Sequence, residues 1–218
     1  MNGQSGSGMM RGSSGLRMMQ GYGNGMGMMD DHSNFGMMNG WYGSSSATST
    51  QTLAQAQQRV EAYIATFKDK NLVLDEVIEF QRNFYAVVND ASTGHGAFEV
   101  LVNKTNGAVM PEFGPDMMWN TKYGMMTGWM GGMMGYSQPT GAMQVSSDRA
   151  ATVARQWLDK NQPGATPEAA DQFPGYYTVH FDVNGKVAGM LSVDGYSGAV
   201  WYHSWHGSAI GQLELNHR

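Results

Sequence analysis

Residues 102–112, VNKTNGAVMPE, and residues 193–203, VDGYSGAVWYH, follow one pattern: Val, then Asn or Asp, three residues of turn character, then Gly-Ala-Val. Asn106-Gly107 is a turn signal, and Ala108 to Glu112 reads as a short strand closed by Pro111. The second occurrence likewise runs through a Gly-containing turn into Ala199 to His203. Upstream of the first lie two stretches of strand composition, Asn83 to Asn89 (NFYAVVN) and Ala97 to Asn103 (AFEVLVN), joined by a loop from Asp90 to Gly96. Upstream of the second lie Tyr176 to Val183 (YYTVHFDV), the turn Asn184-Gly185, and Lys186 to Val193 (KVAGMLSV). FYAVVND at 84–90 can be laid on YYTVHFD at 176–182.

Each set of strands is preceded by a helical pattern. Leu53, Ala56, Val60, Ile64 and Phe67 share one helical face, so Thr52 to about Phe67 reads as an amphipathic helix, followed by an extended stretch from Asn71 to Glu79. Ser147 is expected to cap a second helix running to about Asn161, with Ala151, Ala154, Trp157 and Leu158 on its apolar side. Helix then antiparallel strands, twice over, predicts an α+β fold of two tandem units of about 60 residues each. The expected boundaries are a tail at 1–50, a first unit at 51–115, a linker at 116–145 and a second unit at 146–218.

Tail and linker are compositionally unlike the units. The linker's centre, Met117 to Met134, reads MMWNTKYGMMTGWMGGMM, with Met at 117, 118, 125, 126, 130, 133 and 134. It has neither helical period nor strand alternation, and Gly128, Gly131 and Gly132 would weaken either element. The tail repeats the theme with Met9-Met10, Met18-Met19, Met26, Met28-Met29 and Met37-Met38 set among Gly, Ser and Asn. Leu16 is its single branched aliphatic residue, too little to offset the ordering entropy of so much Gly.

Composition excludes several classes. A net charge of −5 gives no footprint for nucleic acid or an anionic membrane. No apolar run reaches the length of a transmembrane helix. With no Cys there is no disulfide, thiolate metal site or Cys nucleophile, which suits an oxidising compartment. There is no GxSxG, HExxH, Walker-type loop or GxGxxG, and GYGNGMG at 21–27 neither follows a predicted strand nor opens a helix. Asp75, Glu76 and Glu79 read as the polar positions of an extended segment. The expectation is a protein that is not an enzyme.

A helix followed by a small antiparallel sheet ending in V-D-x-x-x-G-A-V, here Val193 to Val200 with a degenerate copy at Val102 to Val109, resembles the PepSY family. The resemblance spans roughly 52–112 and 147–206. It implies an extracytoplasmic, non-catalytic module that binds or inhibits a partner, and it supplies no site residues. The blocks WNTKYG (119–124) and WYHSWHG (201–207), like the Met-rich segments, lie outside that family's general features.

The function therefore rests on the methionines and histidines. Thioether sulfur is a soft, uncharged ligand that selects Cu(I), so Met117, Met118, Met125, Met126, Met130, Met133 and Met134 are candidate copper ligands. His203 and His206, spaced i, i+3, are candidates to complete such a site, and the alternative reading makes them a half-exposed aromatic strand end. Met28, Met29 and His32, next to Asp30-Asp31, form a further candidate for copper in the tail. His180, with Thr178 and Asp182, reads as a solvated strand face, while Met110 and Met190 read as core filler. Met also packs adaptably on aromatic surfaces, so the alternative function is self-assembly, the Met/Gly-rich tail lying on a neighbouring subunit to build a homo-oligomer or filament.

Overall fold

The computed structural model describes residues 50–127, 129–133, 135 and 137–215, and of Trp129, Met130 and Glu214 only the backbone. Thr52 opens α1 (Leu53–Ile64) with a capping box: its hydroxyl accepts from Gln55 N–H at 3.2 Å and the Gln55 side chain accepts from Thr52 N–H at 2.9 Å. Four antiparallel strands follow, β1 (Leu72–Phe80), β2 (Asn83–Asp90), β3 (His95–Asn103) and β4 (Val109–Pro111). After the Met-rich stretch, α4 (Ser147–Asn161) is capped by Ser146, whose hydroxyl accepts from Arg149 N–H; the cap is one residue earlier than expected. The second sheet runs β5 (Thr166–Phe173), β6 (Tyr176–Val183), β7 (Lys186–Asp194) and β8 (Val200–Tyr202), again antiparallel.

The fold is α+β, two units of helix plus antiparallel sheet, and both units contain more than the sequence pattern announced. β5 (TPEAADQF) carries Pro167 and two carboxylates, Glu168 and Asp171, on a sheet edge, so it lacks the apolar alternation that marks a strand. The last strand, β9 (Ala209–Glu214), leaves the second unit and pairs antiparallel with β1, giving a first sheet ordered β4-β3-β2-β1-β9. That crossing ties the end of the described chain to the first unit.

Each sheet is covered on both faces. Ala56, Val60 and Ile64 of α1 pack on one face of the first sheet, against Val77, Phe84, Ala86, Val100 and Val102. Ala150, Ala154 and Leu158 of α4 pack on the second sheet against Tyr177, Val179, Leu191 and Val193. The remaining two faces meet, burying Ile78, Phe80, Tyr85 and Leu101 from the first with Tyr176 and Met190 from the second. The layers run helix, sheet, sheet, helix.

The shared turn closes identically in both units. Asn103 Oδ1 accepts from Thr105 and Asn106 N–H, and Asp194 Oδ1 accepts from Tyr196 and Ser197 N–H. Gly107 (φ +69°) and Gly198 (φ +73°) take the left-handed position and donate to Asn103 O and Asp194 O at 2.9 Å. Strand register then fixes which residues correspond. Phe84 pairs with Val102 and Tyr177 with Val193, so Phe84 answers to Tyr177, not to Tyr176 as the sequence match had it. A one-residue slip exchanges the two faces of a strand, so this shift decides which side chains meet between the sheets.

Among its described residues the Met-rich linker forms two short helices, α2 (Pro115–Trp119) and α3 (Trp129–Met133). Its first part is fastened to the second sheet: Thr121 N–H donates to Pro174 O at 2.8 Å, and a Cβ on Gly175 (φ +100°) would clash with Trp119 O.

Leu158 is fully buried beneath α4. Leu158→Ala should cost about 2–5 kcal/mol in urea unfolding, because a cavity remains where the sheet cannot collapse. A loss under about 1 kcal/mol would mean α4 does not cover that face.

A candidate metal centre between the sheets

Glu112 follows β4 and His203 follows β8, and they occupy the same position in the two units. Glu112 N–H donates to Glu99 O on β3 at 2.9 Å, as His203 N–H donates to Met190 O on β7 at 3.1 Å. The two sheets face one another, so these equivalent side chains meet: Glu112 Oε1 is 3.2 Å from His203 Nδ1. The turn after β8 brings in His206, whose Nε2 is 2.8 Å from the same oxygen. That turn is held by the β1–β2 hairpin, where Arg82 N–H donates to His206 O at 3.1 Å and Gln81 N–H to Ser208 O at 3.0 Å. One ligand atom from each of Glu112, His203 and His206 lies within 4.8 Å of the others, and all three residues are buried.

The second nitrogen of each imidazole is fixed. Ser192 Oγ sits 3.0 Å from His203 Nε2 and 3.0 Å from Thr178 Oγ. Asn83 Oδ1 sits 2.8 Å from His206 Nδ1. The His203 ring stacks on Trp205 at 4.6 Å and the His206 ring on Phe80 at 4.6 Å. Orientation of the distal ring nitrogen by a hydrogen bond is what metal-binding histidines require.

Burial, opposed by the Glu112 contact, holds His206 below its ordinary pKa, which favours the neutral ring. Burial alone would raise Glu112, but the adjoining His203 and His206 prevail and hold its carboxyl well below the usual range. With Nδ1 facing Asn83 Oδ1, His206 turns Nε2 toward a carboxylate oxygen 2.8 Å away. A nitrogen and an oxygen at that distance share either a proton or a metal ion. Glu112 Oε2 is, in addition, buried without a hydrogen-bond partner, and His203 Nδ1 approaches Glu112 Oε1 at 3.2 Å. Two imidazoles and a carboxylate are a donor set for zinc or copper.

A second polar cluster adjoins the first. Glu99 accepts from Tyr85 Oη and, at 2.7 Å, from Tyr176 Oη, which also lies 3.0 Å from Asp116 Oδ1. Asp116 Oδ1 accepts from Asn120 Nδ2 at 2.9 Å and from Glu99 N–H at 3.2 Å. Burial, with the Glu112 and Asp116 charges behind it, pushes Glu99 well above the carboxylate range. Burial likewise pushes Asp116 up to about 7 despite its hydrogen bonds. Tyr85 joins the clusters, its ring edge-on to His206 at 5.6 Å and to His180 at 5.7 Å.

His203 and His206 thus come together, neither of them half-exposed, and with a partner the sequence reading did not nominate. Glu112 was legible, since the 102–112/193–203 match sets it against His203. His180 is buried, not solvated, because both faces of its sheet are covered. Met117 lies on α2 against the core between the sheets, and Met118 is half-buried. Met126 is buried, its N–H on Met117 O at 3.2 Å, whereas Met125 and Met133 are 42% and 68% exposed. Met28, Met29, His32 and Met134, and the side chain of Met130, lie outside the described residues. Among the described residues no helix is long and apolar enough to cross a membrane.

No family model matches this sequence, and no curated protein does. The crystal structure of a "putative lipoprotein" from Clostridium difficile 630 aligns over 72% of this chain and 93% of its own, at 9% identity and a TM-score of 0.21. A likeness that slight says nothing about function.

Asp116 makes stability pH-dependent. Its folded-state pKa of about 7 exceeds that of an exposed aspartate, so the folded state binds the proton more tightly. Its contribution is complete below about pH 4 and is lost as pH rises toward 7. His180 acts in the opposite direction: burial and the His203 charge lower it to about 4, so stability falls as pH drops from about 6.5. Asp116→Asn keeps an oxygen for Asn120 and Tyr176 and removes the charge. It should gain on wild type by a few kcal/mol between pH 5 and pH 8 in chemical unfolding. A constant difference across that range would show Asp116 to be ionised throughout.

Proposed function

We propose that this chain is a non-enzymatic, extracytoplasmic protein that binds a transition-metal ion, copper above all, with Glu112, His203 and His206 as its ligands. The observation that carries this reading is the convergence of His206 Nε2, at 2.8 Å, and His203 Nδ1, at 3.2 Å, on one oxygen of the buried Glu112. Ligands of a tetrahedral ion at ~2.0–2.1 Å stand roughly 3.3 Å apart, against 3.2 Å from Glu112 Oε1 to His203 Nδ1 and 2.8 Å to His206 Nε2 here. The ligands are sealed between two sheets, which suits retention of an ion and not turnover of a substrate. The absence of Cys and the PepSY resemblance support an oxidising, extracytoplasmic setting. Met125 and Met133, exposed on the linker, are thioethers placed to meet Cu(I) arriving from solution.

Zinc(II) and Cu(II) probe the imidazole–carboxylate site without engaging thioethers strongly. The metal-free full chain should take up one equivalent of either and melt higher, gaining ~2.7 kcal/mol when free metal is 100 times Kd. The double variant Glu112→Gln/His206→Gln should lose that equivalent. If it bound the first equivalent as tightly as wild type, the centre would lie elsewhere.

A further inference from the structure

The register that brings Glu112 to His203 also sets two rows of side chains against each other. In the first sheet the row is Val87, Glu99 and Glu112: Val87 pairs with Glu99, and Glu112 N–H donates to Glu99 O. In the second sheet the equivalent row is His180, Met190 and His203: His180 pairs with Met190, and His203 N–H donates to Met190 O. Paired residues of an antiparallel sheet project from the same face, and neighbouring strands lie ~4.7–4.9 Å apart. Met190 therefore stands between two imidazoles, on the face that carries the proposed centre. All three residues are buried, Met190 completely. Met190 belongs to the same side-chain cluster as Tyr85 and Trp205, the rings against which His180 and His203 lie.

Ordinary core packing accounts for a Met here but not for the histidine beside it. His180 Nε2 is buried and has no hydrogen-bond partner. A buried imidazole nitrogen left unpaired carries a desolvation cost that a bound ion would remove. Its unit-one equivalent is Val87, so the position itself does not demand a polar group. The pair is also chemically distinct from the Glu112 group: a thioether and a neutral imidazole are both uncharged, and together they suit Cu(I) better than Zn(II). Met has three rotatable side-chain bonds, so its sulfur can swing toward an ion without moving the strand.

Resting on the metal reading above, we propose that Met190 and His180 are additional ligands of the centre, and that their thioether and imidazole make it a site for Cu(I) in preference to Zn(II). Binding exchanges no electrons: Cu(I) enters as Cu(I), and both donors offer lone pairs that no proton occupies.

The test uses the full chain, metal-free, under anaerobic conditions. Cu(I) affinity is read by competition with bicinchoninate, and Zn(II) affinity by competition with a chromophoric chelator. Met190→Leu keeps apolar volume and removes sulfur. It should weaken the first Cu(I) equivalent by about 10- to 100-fold and leave Zn(II) within about twofold. His180→Gln should also weaken Cu(I). X-ray absorption of wild type loaded with less than one equivalent of Cu(I) should show sulfur at ~2.3 Å, a measurement independent of whether any variant folds. Nitrogen and oxygen scattering alone in wild type, or Met190→Leu binding Cu(I) like wild type, overturns this inference. Zinc binding lost in Glu112→Gln would still uphold the centre itself. Wild type that binds neither metal overturns both.

Discussion

One buried carboxylate and the two imidazoles around it hold the described structure together. Glu112 ends the first unit's strands, His203 ends the second unit's, and His206 sits in a turn gripped by the β1–β2 hairpin. Each of these groups would be costly to bury alone. Together they offset one another, and removing one partner of such a set costs roughly 3–5 kcal/mol because a charge is left without compensation. The contact also explains the route of the chain. To place His206 against Phe80 and Asn83 the polypeptide must cross to the first sheet, and once there it continues as β9 along β1.

Between the sheets the interior is polar as well as aromatic, which is unusual for a core and strict in its demands. Tyr85, Tyr176, Glu99, Asp116 and Asn120 satisfy one another over distances near 3 Å, so none can be replaced by an apolar residue without stranding a neighbour. Two carboxyls pushed upward by burial stand beside one pulled downward by histidines. The interior thus separates its ionised acid, Glu112, from acids that burial shifts toward the protonated form. A metal ion of charge two at Glu112 would stabilise ionised forms of those neighbours too, linking ion binding to proton release.

How much of this was legible depended on whether the signal was local. The α1 face, the Asn103 and Asp194 turns and the β2–β3 and β6–β7 pairings are set by residues within one turn or one hairpin and read directly, whereas α4 buries Ala150 where Ala151 was expected. β9 and β5 did not, because an edge strand needs no apolar alternation and β9's partner is more than a hundred residues away. His180 was misread for a related reason: Thr178 and Asp182 look like a wet face only if nothing covers it, and the cover is the other sheet. The match of 84–90 to 176–182 missed by one residue because aromatic and β-branched residues run continuously there. The turn glycines, which tolerate no such shift, gave the correct frame.

That frame shows what duplication makes available to a site. Two equivalent rows face each other, so any ligand position in one unit comes with a counterpart in the other, already aimed at it. Had both rows stayed alike, the interior would hold either four carboxylates, which repel, or a set of imidazoles without an anion. Val87, Glu99 and Glu112 on one side and His180, Met190 and His203 on the other divide the labour between charge and soft donors. The methionines of the linker belong to a different regime. Met125 and Met133 meet solvent, while Met190 meets none and sits where desolvation strengthens every polar contact around it.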